Sequence, residues 1–174
     1  MQYVIIGNST AAIGCVEGIR SVDAEGSIVI LSKEPHHTYG RPLISYLLCG
    51  RTDEQRMKYR PDGFYADNRV DFHPGVTVTG INSDGKRVCC EDGSRFPYDK
   101  LLVATGSDPV VPPVPGLKDV PDQYTFMSLD DAHALQGALS PDKRVLIVGA
   151  GLIGLNPRIR PGGADRIPRW RTHP

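Results

Sequence analysis

Several things are missing from this chain, and each absence removes a class of function. Charge of one sign is not in excess: 20 Lys plus Arg balance 20 Asp plus Glu. No long-range field therefore recommends nucleic acid or an acidic membrane as a partner, and a small polar ligand is expected instead. No stretch approaches the ~20 consecutive apolar residues of a membrane-spanning helix. Met1-Gln2-Tyr3 runs directly into Val4-Ile5-Ile6 without the charged and apolar regions of a signal peptide, which reads as cytoplasmic. The four cysteines, Cys15, Cys49, Cys89 and Cys90, form no C-x-x-C pair and stand in no His spacing that would hold a metal. They read as small buried hydrophobes. A Ser-His-Asp set and a P-loop are also lacking. What remains is an ordinary globular composition, 40% hydrophobic and 23% charged, over 174 residues. That length suits one well-buried domain but not two complete domains plus a third.

The apolar runs divide the chain into elements. Tyr3-Val4-Ile5-Ile6 predicts a strand, and Ile13, Val16, Ile19 and Val22 mark one helix stripe. Ser27-Ile28-Val29-Ile30-Leu31 predicts a second strand buried on both faces. Together they make a βαβ start. A short helix is expected over 42–49, opening at Pro42 and ending at Gly50, and another near 62–68. From Val76 to Val103 the pattern turns to short strands separated by Asp84-Gly85 and Asp92-Gly93. This predicts an antiparallel meander whose last strand, 100–104, rejoins the parallel sheet. Pro109, Pro112, Pro113, Pro115 and Pro121 mark a linker, and Ser128-Leu129-Asp130-Asp131 caps a helix through Leu139. A second strand, Arg144 to Val148, follows. Residues 155–174 then hold five Arg and four Pro, among them Pro157, Pro161 and Pro168, where a glycine-turn motif needs a continuous helix.

Two glycine-turn motifs carry the chemistry. Gly7-Asn8-Ser9-Thr10-Ala11-Ala12 is a relaxed G-x-G-x-x-G, with Ser9 and Ala12 in the second and third glycine places. Small residues there admit a pyrophosphate onto the free N–H groups and positive dipole end of the following helix. Gly149-Ala150-Gly151-Leu152-Ile153-Gly154 is the full fingerprint after a clean strand. An acid should end the second strand and bind a ribose. Ser32 stands there, followed by Lys33, and Glu34 is either the ribose ligand or a solvated carboxylate.

Tyr39-Gly40-Arg41-Pro42-Leu43-Ile44-Ser45 resembles the flavin-side Y-x-R-P-x-L-S segment, and Ala104-Thr105-Gly106-Ser107-Asp108-Pro109 resembles the A-T-G-x-x-P segment, of the FAD-dependent pyridine nucleotide-disulfide oxidoreductases. The similarity runs over 1–154 and points toward the nitrite, rubredoxin and ferredoxin reductase-like members. It implies a Rossmann-like FAD-binding domain, a parallel sheet with helices plus an antiparallel β-meander, followed by the truncated start of a second Rossmann-like domain. It implies FAD and NAD(P)H as cofactors and an electron acceptor, protein or small molecule, as partner. By the same resemblance Arg41 pairs with the FAD pyrophosphate, Pro42 packs near the flavin, Val78 lies at the adenine edge, and Ala104, Thr105 and Gly106 pass the phosphates and flavin. Gly149, Gly151 and Gly154 would serve the nicotinamide nucleotide. Members with thiol chemistry carry a cysteine beside the flavin. Residues 41–46 are Arg, Pro, Leu, Ile, Ser and Tyr, so disulfide reduction is not expected. Tyr46 stands where electron-transferring members commonly have lysine, which leaves the acceptor open. His36 and His37 are expected to line a loop.

The expected organisation is an FAD-binding portion over 1–110, a linker over 111–127, the start of an NAD(P)-binding domain over 128–154, and an aberrant Arg/Pro-rich end. An oxidoreductase fragment without turnover of its own is the leading expectation. A stand-alone nucleotide-binding module and a scaffold remnant that binds nothing stay open beside it.

Overall fold

The computed structural model describes residues 1–140 and 143–149. In chain order the elements are β1 (Gln2–Ile6), α1 (Thr10–Val22), β2 (Ser27–Ser32), a 3-10 turn (Arg41–Leu43), α2 (Ile44–Leu48), α3 (Glu54–Met57) and α4 (Phe64–Asp67). There follow β3 (Val70–Pro74), β4 (Val78–Asn82), β5 (Arg87–Cys90), β6 (Arg95–Pro97), β7 (Lys100–Val103), a second 3-10 turn (Leu117–Asp119) and α5 (Leu129–Ala138). The described chain divides into two compact units, Met1–Gly40 with Lys58–Ser107, and Arg41–Met57 with the described residues from Asp108 onward.

In the first unit a four-stranded parallel sheet runs β3-β2-β1-β7, with Tyr3 opposite both Ile28 and Lys100. Alternation sends the two sets of side chains to opposite faces. Ile5, Ile28 and Ile30 meet Ala12, Ile13, Val16 and Ile19 of α1 and Phe64 and Tyr65 of α4. Val4, Ile6, Val29 and Leu31 meet Val88 and Cys90 of the antiparallel sheet β4-β5-β6. Both faces are covered, which is why β1 and β2 read as unbroken apolar runs.

Three details depart from the sequence reading. Val22 is 84% exposed. A stripe spaced by three drifts around a helix, and nine residues after Ile13 it has turned roughly two and a half times, to the opposite face. The edge strand β3 has no counterpart among the expected elements. Its sequence, Val-Asp-Phe-His-Pro, alternates and ends in proline, a pattern tolerated because it pairs only with β2. The meander begins at Val78 rather than Val76, because the Val76 N–H is donated to the Ser32 carbonyl at the end of β2 (2.8 Å).

In the second unit Pro42 sits in the 3-10 turn that opens α2, and Gly50, at φ +65°, follows it. The short α3 is a further element outside the expected set; the Asp53 carboxylate accepts the Arg56 N–H in its first turn (2.9 Å). α5 has the expected cap: Ser128 Oγ accepts the Asp131 N–H (3.0 Å), and Asp131 accepts the Ser128 N–H (3.0 Å). The strand expected over 144–148 is absent. Its apolar side chains are exposed, Leu146 at 87%, and among the described residues no neighbouring strand offers the ladder that a strand requires.

Candidate functional site

The first unit gathers most of the expected site residues at the carboxyl ends of its parallel strands, where ligands of open α/β sheets bind. Gly7 ends β1 at φ +111°, and its N–H is donated to the Leu31 carbonyl (2.8 Å). A Cβ at Gly7 would stand 2.2 Å from the Ala104 carbonyl oxygen, so the turn after β1 lies directly on the end of β7. This explains why only glycine serves there. Ser9 is the N-cap of α1, with extended backbone and no capping bond from its side chain. The Ser9 carbonyl accepts from Ile13 (3.1 Å), and among the described residues nothing accepts from the N–H groups of Thr10, Ala11 and Ala12. Those donors, with the dipole of a 13-residue helix behind them, suit a phosphate. Ala12, in the third glycine place, is fully buried among Ile5 and Ile30, where a small side chain brings α1 close to the sheet.

At the end of β2, Ser32 is buried and its hydroxyl donates to the Glu34 carbonyl (2.9 Å), while Lys33 is exposed. The Tyr39 hydroxyl donates to Glu34 Oε2 (2.5 Å), so Glu34 is a held carboxylate rather than a loose surface charge. Val78 is half-buried at the start of β4, at the bulge before Gly80. Beyond Ala104 the chain continues through exposed Thr105 and Gly106, the latter at φ +72° with open space around it.

In the second unit Arg41 is half-buried and its guanidinium donates to the Met127 carbonyl (2.9 Å), just before the cap of α5. Pro42 and Tyr46 are exposed. Gly149 has φ +119°, the conformation expected at the start of a glycine turn. Gly151 and Gly154, like the Arg/Pro-rich stretch 155–174, lie outside the described residues.

The sequence profile of the pyridine nucleotide-disulphide oxidoreductases matches residues 1–156. The chain belongs to this family. It is 36% identical over 155 residues to the NADH-dependent phenylglyoxylate dehydrogenase subunit epsilon of Aromatoleum evansii, covering 89% of this chain and 37% of that protein. It is 33% identical to the nitrite reductase [NAD(P)H] of Bacillus subtilis, covering 88% of this chain and 19% of that one. Among solved structures, the covalent putidaredoxin reductase–putidaredoxin complex superposes with a TM-score of 0.78 at 29% identity, over 88% of this chain and 38% of that one. The chain thus spans less than two fifths of the length of these relatives. Pyridine nucleotide-disulphide oxidoreductases are FAD-dependent and use NAD(P)H. The α/β architecture with a parallel and an antiparallel sheet is that of their Rossmann-type reductases.

Within this family member, two functional candidates escaped the motif reading. Asn8 is a free position of the glycine pattern, yet its side chain is engaged on both sides. Its amide nitrogen donates to the His36 carbonyl (3.2 Å), and its oxygen accepts from the Tyr65 hydroxyl (2.9 Å). Tyr65 also accepts the Thr38 N–H (3.1 Å). No local pattern flags Tyr65, since its partners lie 57 and 27 residues away. His37 lines this loop as expected, with Nδ1 on the Thr38 carbonyl (3.0 Å) and its ring edge-on to Tyr65.

Proposed function

We propose that this chain is the FAD-binding portion of an NAD(P)H-dependent oxidoreductase that hands electrons to an acceptor protein or small molecule. The observation that carries the reading is a contrast inside the chain. Two helices begin with serine at the N-cap; Ser128 closes α5 with a capping box, whereas Ser9 leaves the first amides of α1 open at the sheet's carboxyl edge. Thr10 and Ala11 are exposed, so their amides face solvent at that edge, where an anionic group can replace water as their acceptor.

In this reading Gly7 shapes the turn, and the N–H groups of Ser9, Thr10, Ala11 and Ala12 take the pyrophosphate. Glu34, steadied by Tyr39 and with Ser32 and Lys33 shaping its approach, accepts from the adenosine ribose hydroxyls. Val78 borders the adenine, Arg41 adds a bidentate phosphate contact, and Pro42 with Ala104, Thr105 and Gly106 borders the flavin. Gly149, Gly151 and Gly154 belong to the nicotinamide-nucleotide turn. FAD, when bound, supplies the hydride acceptor and the electron relay. The protein's part is binding and orientation, and residues 41–46 offer no thiol beside the flavin.

The 174-residue chain alone is proposed to bind FAD without turning over NADH, a reading that rests on the 19–38% of its relatives' lengths that it spans. FAD titration followed by flavin fluorescence, together with NADH-driven dye reduction, tests both parts. Stoichiometric FAD and no turnover support the proposal. Turnover overturns the inactive part, and failure to bind FAD or ADP overturns the whole and favours a scaffold. Arg41→Ala should weaken FAD binding more than Arg41→Lys, which keeps the charge and loses the bidentate fork.

A further inference from the structure

We propose that Tyr65 is a positioning residue for the nucleotide site, its hydroxyl tying the glycine turn to the loop that carries the ribose-binding carboxylate; this rests on the FAD-binding reading above. The tie consists of three hydrogen bonds. The Tyr65 hydroxyl donates to Asn8 Oδ1 (2.9 Å), the Asn8 amide donates to the His36 carbonyl (3.2 Å), and the Thr38 N–H donates to the Tyr65 oxygen (3.1 Å). Asn8 lies between Gly7 and the open start of α1. His36 and Thr38 lie between Glu34 and Tyr39, the pair joined by their own hydrogen bond. One phenol therefore spans the phosphate-binding and ribose-binding halves of the site.

The aromatic ring is held so that its oxygen arrives at a fixed point. Tyr65 is buried, stacks on Phe72 (centroids 4.3 Å apart, planes 12° apart), and meets Phe64 and His37 edge-on. Burial raises the phenol's pKa, which keeps the hydroxyl a donor throughout the neutral range. A phenylalanine would fill the same space and keep the stacking. It would take the phenol from the Asn8 oxygen and from the buried Thr38 N–H, and the two loops would keep the Asn8–His36 bond but lose the link through Tyr65. Preorganisation of this kind sets affinity because the ligand need not order the loops on binding.

The decisive experiment compares Tyr65→Phe with wild type in FAD affinity, in coupling to Glu34, and in amide exchange of the FAD-free chain. Tyr65→Phe is expected to weaken FAD roughly tenfold at temperatures where both chains are fully folded. Glu34→Gln should then cost less in the Tyr65→Phe background than in wild type, because a carboxylate on an untethered loop has less to lose. In the FAD-free chain the Gly7 amide, which Tyr65 does not touch, should exchange faster while Ile5 and Ile30 stay protected. Unchanged affinity with additive effects, or an unchanged Gly7 exchange rate, overturns the inference. A wild-type chain that binds no FAD overturns the functional reading instead, and the exchange comparison still decides whether the tie exists.

Discussion

Gly7→Ala is a perturbation whose effect the structure defines on both sides of the contact, and it needs no ligand. At φ +111° an L-residue occupies sparsely populated backbone space, a strain of about 1–3 kcal/mol. The new Cβ would also stand 2.2 Å from the Ala104 carbonyl oxygen and 2.7 Å from its carbon, where ordinary contact begins at 3.4 Å. Relief requires a backbone shift on the order of 1 Å, yet both sides are pinned: Gly7 N–H to Leu31, and Ala104 N–H to the Ile6 carbonyl, each at 2.8 Å. Overpacking of this kind costs about 1–3 kcal/mol. The sum, ~2–6 kcal/mol, is a large part of the ~5–15 kcal/mol that holds a domain together. At about 2–4 °C per kcal/mol, thermal unfolding by circular dichroism without FAD should show a Tm lower by roughly 4–24 °C. Gly106→Ala is the control: φ is also positive, +72°, but nothing lies within 4 Å, so strain alone remains at about 1 kcal/mol. A Gly7→Ala protein melting within about 3 °C of wild type would refute the claim that the turn is pressed onto β7.

Gly14 and Gly18 make the opposite prediction: both are exposed inside α1 with open space at the missing Cβ, so alanine at each should stabilise the first unit by about 0.5–1 kcal/mol, read as a higher denaturant midpoint. Asp131→Ala should loosen α5, since its carboxylate accepts from Thr125, Met127 and Ser128 at 2.8–3.0 Å. A loss of about 2 kcal/mol corresponds to roughly 30-fold faster amide exchange across the helix. Burial pushes the Asp131 pKa up, but the N–H groups of Ser128 and Met127 and the two hydroxyls outweigh it and hold it below the ordinary carboxylate value. A lowered folded-state pKa gives stability that is complete above the unfolded value of ~3.9 and disappears as pH falls through the folded one. Protection of α5 should therefore fall on acidification below about pH 4, and Asp131→Asn should remove that dependence.

What the sequence made legible was local. β1 and β2 are unbroken apolar runs because both faces are covered, and the cap of α5 is spelled out within four residues. The antiparallel strands announce themselves through Asp-Gly turns, although at the first the positive φ falls on Lys86 rather than Gly85, whose N–H goes to the Asn82 side chain. Apart from the return of 100–104 to the parallel sheet, contacts of long sequence separation were not legible. β3 pairs on one side only and so carries no apolar signature, and Tyr65 meets Asn8 across 57 positions. The failure at 144–148 has the same origin: apolar residues in sequence specify a propensity for strand, and a strand forms only where a second chain segment offers its ladder.

The same distinction separates residues that the fold requires from those that point to a ligand. Gly7 looks like a phosphate-binding glycine, but the Ala104 carbonyl alone would demand it, so its presence argues for the βαβ turn and says little about FAD. Ala12 is likewise explained by packing against Ile5 and Ile30. Folding accounts less well for Ser9, a good N-cap residue whose hydroxyl does not cap, and for Glu34, whose carboxylate is gripped by Tyr39 at the edge where β1, β2 and β7 end. Substitutions should divide accordingly. Gly7 and Ala12 variants should lose stability first and FAD affinity only in proportion, whereas Glu34→Gln should weaken FAD binding with the melting temperature of the FAD-free chain nearly unchanged. If Glu34→Gln instead lowers that melting temperature and spares FAD binding, the carboxylate is a brace of the loop, and the ribose must be held by other groups.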